Sequence, residues 1–253
     1  MKHILLILSI VCFVSCNSSE DKNKNINNEM LIQVQHDDKE FPKLVPNRYN
    51  VAFLIMNGTY NTELTAPFDI FQHTIFRDSI KAMNVFTVAN TDNPIITFEG
   101  MRIVPDFNYL KDDLPKIDIF VVPSAEHHLD TDLEDKAMID FVKQVDNEAQ
   151  FITSHCDGAF VLAQAGLLNN VVATTFPGDI DTMRARFPNL DIRKDVLFVH
   201  DGKYITSAGG AKSFEAALYL CEFLYGKEIA ESLAGGLVID WKLDDVPHLI
   251  INH

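Results

Sequence analysis

The stretch Phe151-Ile152-Thr153-Ser154-His155-Cys156-Asp157-Gly158-Ala159-Phe160-Val161-Leu162-Ala163-Gln164-Ala165-Gly166 sets a strand directly against a helix. Phe151 to Ser154 is a short strand-like run, Ala159 to Ala165 is helix-like, and Gly166 follows as a left-handed C-cap. Cys156-Asp157-Gly158 leaves room only for a sharp turn between them. Such a turn lifts one side chain clear of the backbone and aims the free N–H groups of the new helix at it. That field favours thiolate over thiol. Cys156 is therefore expected to be a nucleophile or an oxidation-sensitive thiolate. Side chains alternate along a strand, so His155 is expected to point away from it.

Outward from this turn, strand and helix alternate. Tyr49 to Met56 reads as a strand, and Thr65-Ala66-Pro67 as an N-cap with Pro in the first helical turn, followed by the apolar face of Phe68, Phe71, Ile75 and Phe76. Val85 to Ala89 is a second strand, and Ile95 to Pro105 a hairpin turning at Glu99-Gly100. Ile117 to Pro123 is the clearest buried strand, and Leu133 to Val145 an amphipathic helix. A short strand at Ala173 to Phe176, a helix at Ile180 to Phe187 and a hairpin about Asp201-Gly202 come next. Helices over Ser213 to Tyr225 and Glu228 to Gly235 close the pattern. Near-continuous apolar strands alternating with helices predict an α/β domain whose mostly parallel sheet is covered on both faces. Ligands gather at the carboxyl ends of such strands. The loop carrying Glu63, the loop carrying Glu126, His127 and His128, and the turn at Cys156 are expected to meet there.

The chain has 253 residues, 47% of them hydrophobic, enough for one large domain. Its formal charge of −15 excludes nucleic acid as a partner, since phosphates would be repelled. Lys2 and His3 precede an apolar run, Ile4 to Val14, that is too short to span a bilayer and has the build of an export signal. Phe13-Val14-Ser15-Cys16 resembles a bacterial lipobox, which would make Cys16 the lipidated first residue of the mature protein. The expected organisation is a signal peptide over 1–15, the lipidated Cys16 and a polar tether over 16–47, and a folded domain over 48–253. The expected location is the cell envelope, periplasmic or outer-membrane associated, with the lipid as the membrane contact. Cys221 falls on an apolar helical stripe with Phe214, Ala217 and Leu218, which leaves Cys156 free rather than bridged. His127 and His128 beside Glu126 are pocket candidates, as is His155 should the turn begin early enough to bring it round. Adjacent side chains seldom face one ion, so neither a metal nor an organic cofactor is expected.

Several runs together resemble the ThiJ/PfpI superfamily, with its class I glutamine-amidotransferase-like fold. They are Glu63-Leu64-Thr65-Ala66-Pro67, Asp118-Ile119-Phe120-Val121-Val122-Pro123, Cys156 to Leu168 with Ala173-Thr174-Thr175, and Tyr204 to Gly210. The branch is similar to isonitrile hydratases and to the amidase-like domain of AraC-type regulators. The resemblance implies a flavodoxin-like three-layer sandwich, commonly a homodimer, with Cys156 as nucleophile and Glu63 as its acidic, proton-transferring partner. It also implies that backbone N–H groups of Asp157 and of Ser124 or Ala125 hold developing negative charge. Three positions depart from the pattern: Asp157 stands where the branch has Thr or His, Ser124-Ala125 replace Gly-Gly, and Phe176 replaces a His. A glutamine amidotransferase would need a His-x-Glu pair after the cysteine, and none occurs. The implied activity is a hydratase, hydrolase or lyase acting on a small electrophile. The alternative is a non-catalytic ligand- or oxidation-sensing module, or a chaperone-like protein.

Overall fold

The run from Tyr49 to Met56 forms β1 (Tyr49–Leu54) in the computed structural model, which describes residues 39–251. The export signal, Cys16 and the tether up to residue 38 lie outside the described residues. After β1 come α1 (Asn61–Gln72), β2 (Met83–Ala89), β3 (Ile95–Ile96), β4 (Arg102–Ile103), β5 (Phe107–Asn108) and β6 (Ile119–Val122). Then follow α2 (Lys136–Asp146), β7 (Phe151–His155), α3 (Gly158–Gln164), β8 (Val172–Ala173), α4 (Ile180–Arg186) and β9 (Asp191–Ile192). The described chain closes with β10 (Phe198–Asp201), β11 (Tyr204–Ser207), α5 (Ser213–Tyr225), α6 (Lys227–Gly236) and β12 (His248–Ile251).

Eight strands make one sheet in the order β12-β10-β11-β7-β6-β1-β2-β5, and only the β10–β11 hairpin pairs antiparallel. The period of two along each strand divides the core. Val51, Phe53, Ile119 and Val121 pack on one face with Leu64, Ile70 and Phe71 of α1 and with α5 and α6. Ala52, Leu54, Phe120, Val122 and Ile152 face the other way, against Val142 of α2 and Phe160 and Leu162 of α3. This is the mostly parallel sheet covered on both faces that the alternation predicts, and the flavodoxin-like sandwich that the resemblance implies. It brings the carboxyl ends of β1, β6 and β7 side by side, because Val121 lies opposite Thr153 and Phe53 opposite Val121.

Three local expectations are corrected. The first helix does not begin at Thr65-Ala66-Pro67: it starts at Asn61, and Pro67 lies inside it. Tertiary partners satisfy the early amides, with Tyr60 N–H donating to Ser124 O (3.0 Å) and Asn61 N–H to Glu99 Oε2 (2.9 Å). Thr65 does not cap; its hydroxyl donates back to Asn61 O. Pro67 has no N–H for the carbonyl of Glu63, so the helix lacks a rung at the residue that faces the site. The strand β12 was not foreseen; it is short and pairs with the edge of the β10 hairpin strand. The tether expected through residue 47 is docked from Phe41, whose ring stacks on Phe107 at 5.2 Å, while Val45 exchanges two hydrogen bonds with the side chain of Asn84. Among the described residues no helix is long and apolar enough to cross a membrane.

Candidate active site

The strand β7 ends at His155, and the next residue turns the chain through a left-handed conformation, with φ of 54° at Cys156. That value is unusual for a residue with a Cβ and stores strain at the reactive position. The turn is held from three sides. Cys156 N–H donates to Ser207 O (3.0 Å), extending the β7–β11 pairing past the end of the strand. Gly209, at φ +78°, lies so close that a Cβ there would sit 2.6 Å from Cys156 N. Gly158 opens α3 directly against the end of β6, where a Cβ would overlap the Val122 carbonyl oxygen.

Cys156 is 8% exposed, and its Sγ donates to Asp157 Oδ2 at 3.6 Å. The Asp157 carboxyl does not cap α3; it turns to the sulfur and to Thr175, whose hydroxyl lies 3.2 Å from Asp157 Oδ1 and 3.0 Å from Cys156 O. Burial, and then the charge of Asp179, pushes the Asp157 carboxyl up to about 6. Burial also pushes the Cys156 thiol well above its ordinary range, and the neighbouring Asp157 and Glu63 push it further. The Ser124 hydroxyl and the Asp157 N–H offset this only in part. Burial and charge both run against the thiolate that the turn alone predicts: desolvation and two carboxylates oppose the N–H groups of a helix that is seven residues long.

Glu63 is 7% exposed, and its Oε1 accepts from Gly210 N–H at 2.9 Å. It shares with Cys156 a cavity of about 280 Å³, lined also by Tyr60, Asp157, Phe176 and Asp179. Ser124 contributes its buried hydroxyl, which lies by the sulfur but makes no hydrogen bond of ordinary geometry. Ala125 is a correction: its N–H donates to His128 Nδ1 (3.2 Å) and is not available to a substrate.

The histidines are not brought to this cavity. His155 is buried on the opposite side of β7, with Nδ1 3.0 Å from Ser207 Oγ, and burial lowers it to about 3. His128 is fully buried, lowered to about 3 by the same cause, and braces the 124–126 loop through Ala125. His127 is exposed, pairs with Asp130 at 3.2 Å, and lines a separate cleft with Asn57 and Asp132. Among the described residues no cluster of His, Cys, Asp and Glu could hold a metal ion. Both Cys156 and Cys221 are free, and Cys221 is buried in the core as its helical stripe predicts.

Sequence reasoning missed Tyr60, Thr175 and Asp179 as site residues and passed over the Ser124 hydroxyl for its backbone. Thr175 was within reach, since it ends the Ala173-Thr174-Thr175 run. Tyr60 and Asp179 carry no local signal.

The model of the DJ-1/PfpI family matches residues 49–222. An isonitrile hydratase from Pseudomonas putida is 28% identical over 182 residues, spanning 72% of this chain and 74% of that protein. The crystal structure of a THiJ/PfpI family protein from Pseudomonas syringae superposes with a TM-score of 0.67 at 22% identity, covering 81% of this chain and 84% of the other. An AraC family transcriptional regulator from Pseudomonas putida superposes with a TM-score of 0.62 at 19% identity, over 75% of this chain and 99% of the other. At these identities the two structural likenesses establish a shared fold.

Proposed function

The chain belongs to the DJ-1/PfpI family, and from that premise we propose that it is a cysteine-dependent enzyme that hydrates or hydrolyses a small electrophilic molecule at Cys156. The observation that carries this reading is the Cys156 sulfur, held at positive φ in a cavity and hydrogen-bonded to Asp157. The similarity to an isonitrile hydratase supports a carbon–nitrogen multiple bond as the first target to try.

The geometry supports a two-stage reaction. As the electrophile docks, the Sγ proton passes to Asp157 Oδ2 and a sulfur–carbon bond forms at a carbon multiply bonded to nitrogen or oxygen. The displaced π pair takes a proton from Glu63 or Asp157. With a carbon–nitrogen multiple bond, water then adds to the same carbon, giving a proton to the free carboxylate, and the sulfur leaves with its bonding pair and is reprotonated. With an amide, the C–N bond breaks first, the amine leaving with a proton from the acid, and water then displaces the sulfur from the thioester in the same way. No step in this sequence calls on a cofactor.

The test is a panel of isonitriles, glyoxals and simple amides run against the wild-type protein and Cys156→Ala. Turnover of one class is expected, with complete loss in the variant at an unchanged melting temperature. Absence of turnover across the panel, with peroxide converting Cys156 to a sulfinic acid, would instead favour the sensing role. Export and anchoring are part of the same proposal, supported by the Ile4 to Val14 run and Cys16. The full chain is expected in the membrane fraction of a bacterial host, and Cys16→Ser in the soluble fraction. A soluble wild-type chain would remove the anchor from the account.

A further inference from the structure

Glu63, Asp157 and Asp179 all line the cavity at Cys156, and no Lys, Arg or His does so among the described residues. The charges that act on its walls have one sign. Asp179 acts on Asp157, and Asp157 and Glu63 act on Cys156; Tyr60 feels Cys156, Glu126, Asp157 and Glu63 together. The other walls are aromatic: Phe176 is 42% exposed, and the Tyr60 ring packs against Phe98 at 4.6 Å. The volume, about 280 Å³, suits a small molecule.

Resting on the nucleophile reading above, we propose that this cavity selects small cationic electrophiles bearing an ammonium or amidinium group, with Asp179 as a specificity-determining residue and Tyr60 and Phe176 as the aromatic walls. An anionic substrate would meet up to three carboxylates with no counter-charge. A cation is attracted by the acids and by the aromatic faces alike. Its charge also supplies what the free protein lacks. The same acids that oppose ionisation of the thiol are neutralised when a cation sits among them, so substrate binding itself favours the attacking thiolate. Discrimination and activation then follow from one arrangement.

Charged thiol reagents test this without any turnover assay. A trimethylammonioethyl methanethiosulfonate and its anionic sulfonatoethyl counterpart both react as the thiolate attacks the sulfenyl sulfur, forming a disulfide and releasing methanesulfinate. Rates on the full chain are read from the Cys156 peptide by mass spectrometry and divided by the rates on a small neutral thiol. The cation-to-anion ratio is expected to exceed unity by about tenfold or more. Asp179→Asn should lower that ratio by about threefold or more, and Glu228→Gln, an exposed acid on α6, should leave it unchanged. A normalised ratio near one with ready labelling would overturn the charge selection and leave the nucleophile reading intact. An equal fall in both variants would assign the preference to the net charge of the protein and overturn the role of the cavity. No labelling by either reagent would overturn both readings.

Discussion

Asp157→Asn is expected to speed alkylation of Cys156 at pH 7.5 and, in the same protein, to slow turnover by about a hundredfold or more. The two readouts part because Asp157 does two things to one sulfur. Its carboxylate opposes the negative charge of the thiolate, second only to burial among the causes that push the thiol up. Removing that charge therefore raises the thiolate fraction and the rate with a neutral reagent such as iodoacetamide. The same carboxylate accepts the Sγ hydrogen bond and is the base of the proposed first step, which an amide cannot replace. If alkylation and turnover fell together, Asp157 would be only a structural support for the turn. Wild-type Cys156 should itself alkylate more slowly than free cysteine near neutral pH.

A stability signature accompanies this. The carboxyl is raised from 3.8 to about 6 in the folded chain, so the favourable contribution of its neutral form is present below 3.8 and is lost as pH rises through 6. Asn resembles that neutral form at every pH. The variant should melt with the wild type at pH 4 and above it at pH 8, by an amount equivalent to ~1–3 kcal/mol.

Much of this fold could be read locally because its strands are buried on both faces. Ile117 to Pro123 is a nearly continuous apolar run, and Phe151 to Ser154 is a short run rich in aromatic and β-branched residues, both too short for helices and set between helical segments. The position of Cys156 at a strand-to-helix turn was legible for the same reason. The state of its sulfur was not. That depends on desolvation and on Glu63, Asp157 and Thr175, which arrive from three separate segments. The direction of Asp157 was open to sequence reasoning as well, because an aspartate at this position serves equally as an N-cap or as a sulfur partner. Thr175 decides it. His127 and His128 show the limit most plainly: two adjacent identical residues on a turn end as one exposed group and one fully buried brace. The first helix began early because Glu99 and Ser124 supply partners to its opening amides, a tertiary effect that overrode the Thr-Ala-Pro signal.

Gly209→Ala should be the most damaging small substitution near the site, lowering stability by about 3 kcal/mol or more and the melting temperature by roughly 6–12 °C. Two costs combine there. The backbone is at φ +78°, and the added Cβ would fall 2.6 Å from Cys156 N and 2.7 Å from its Cα, atoms of a backbone that is itself strained. Relief requires the Cys156 turn to move, which would pull the sulfur from Asp157 and Gly210 N–H from Glu63. Gly100 separates the two costs, since it has φ +91° with nothing within 4 Å of a new Cβ. Gly100→Ala should therefore show the conformational cost alone, about 1 kcal/mol. The difference between the two variants measures how tightly β11 and its following loop clamp the cysteine. If Gly209→Ala melted beside Gly100→Ala and kept wild-type labelling of Cys156, the turn would be yielding rather than clamped. The strained backbone that presents the sulfur would then have to be maintained by Ser207 and Thr175 alone.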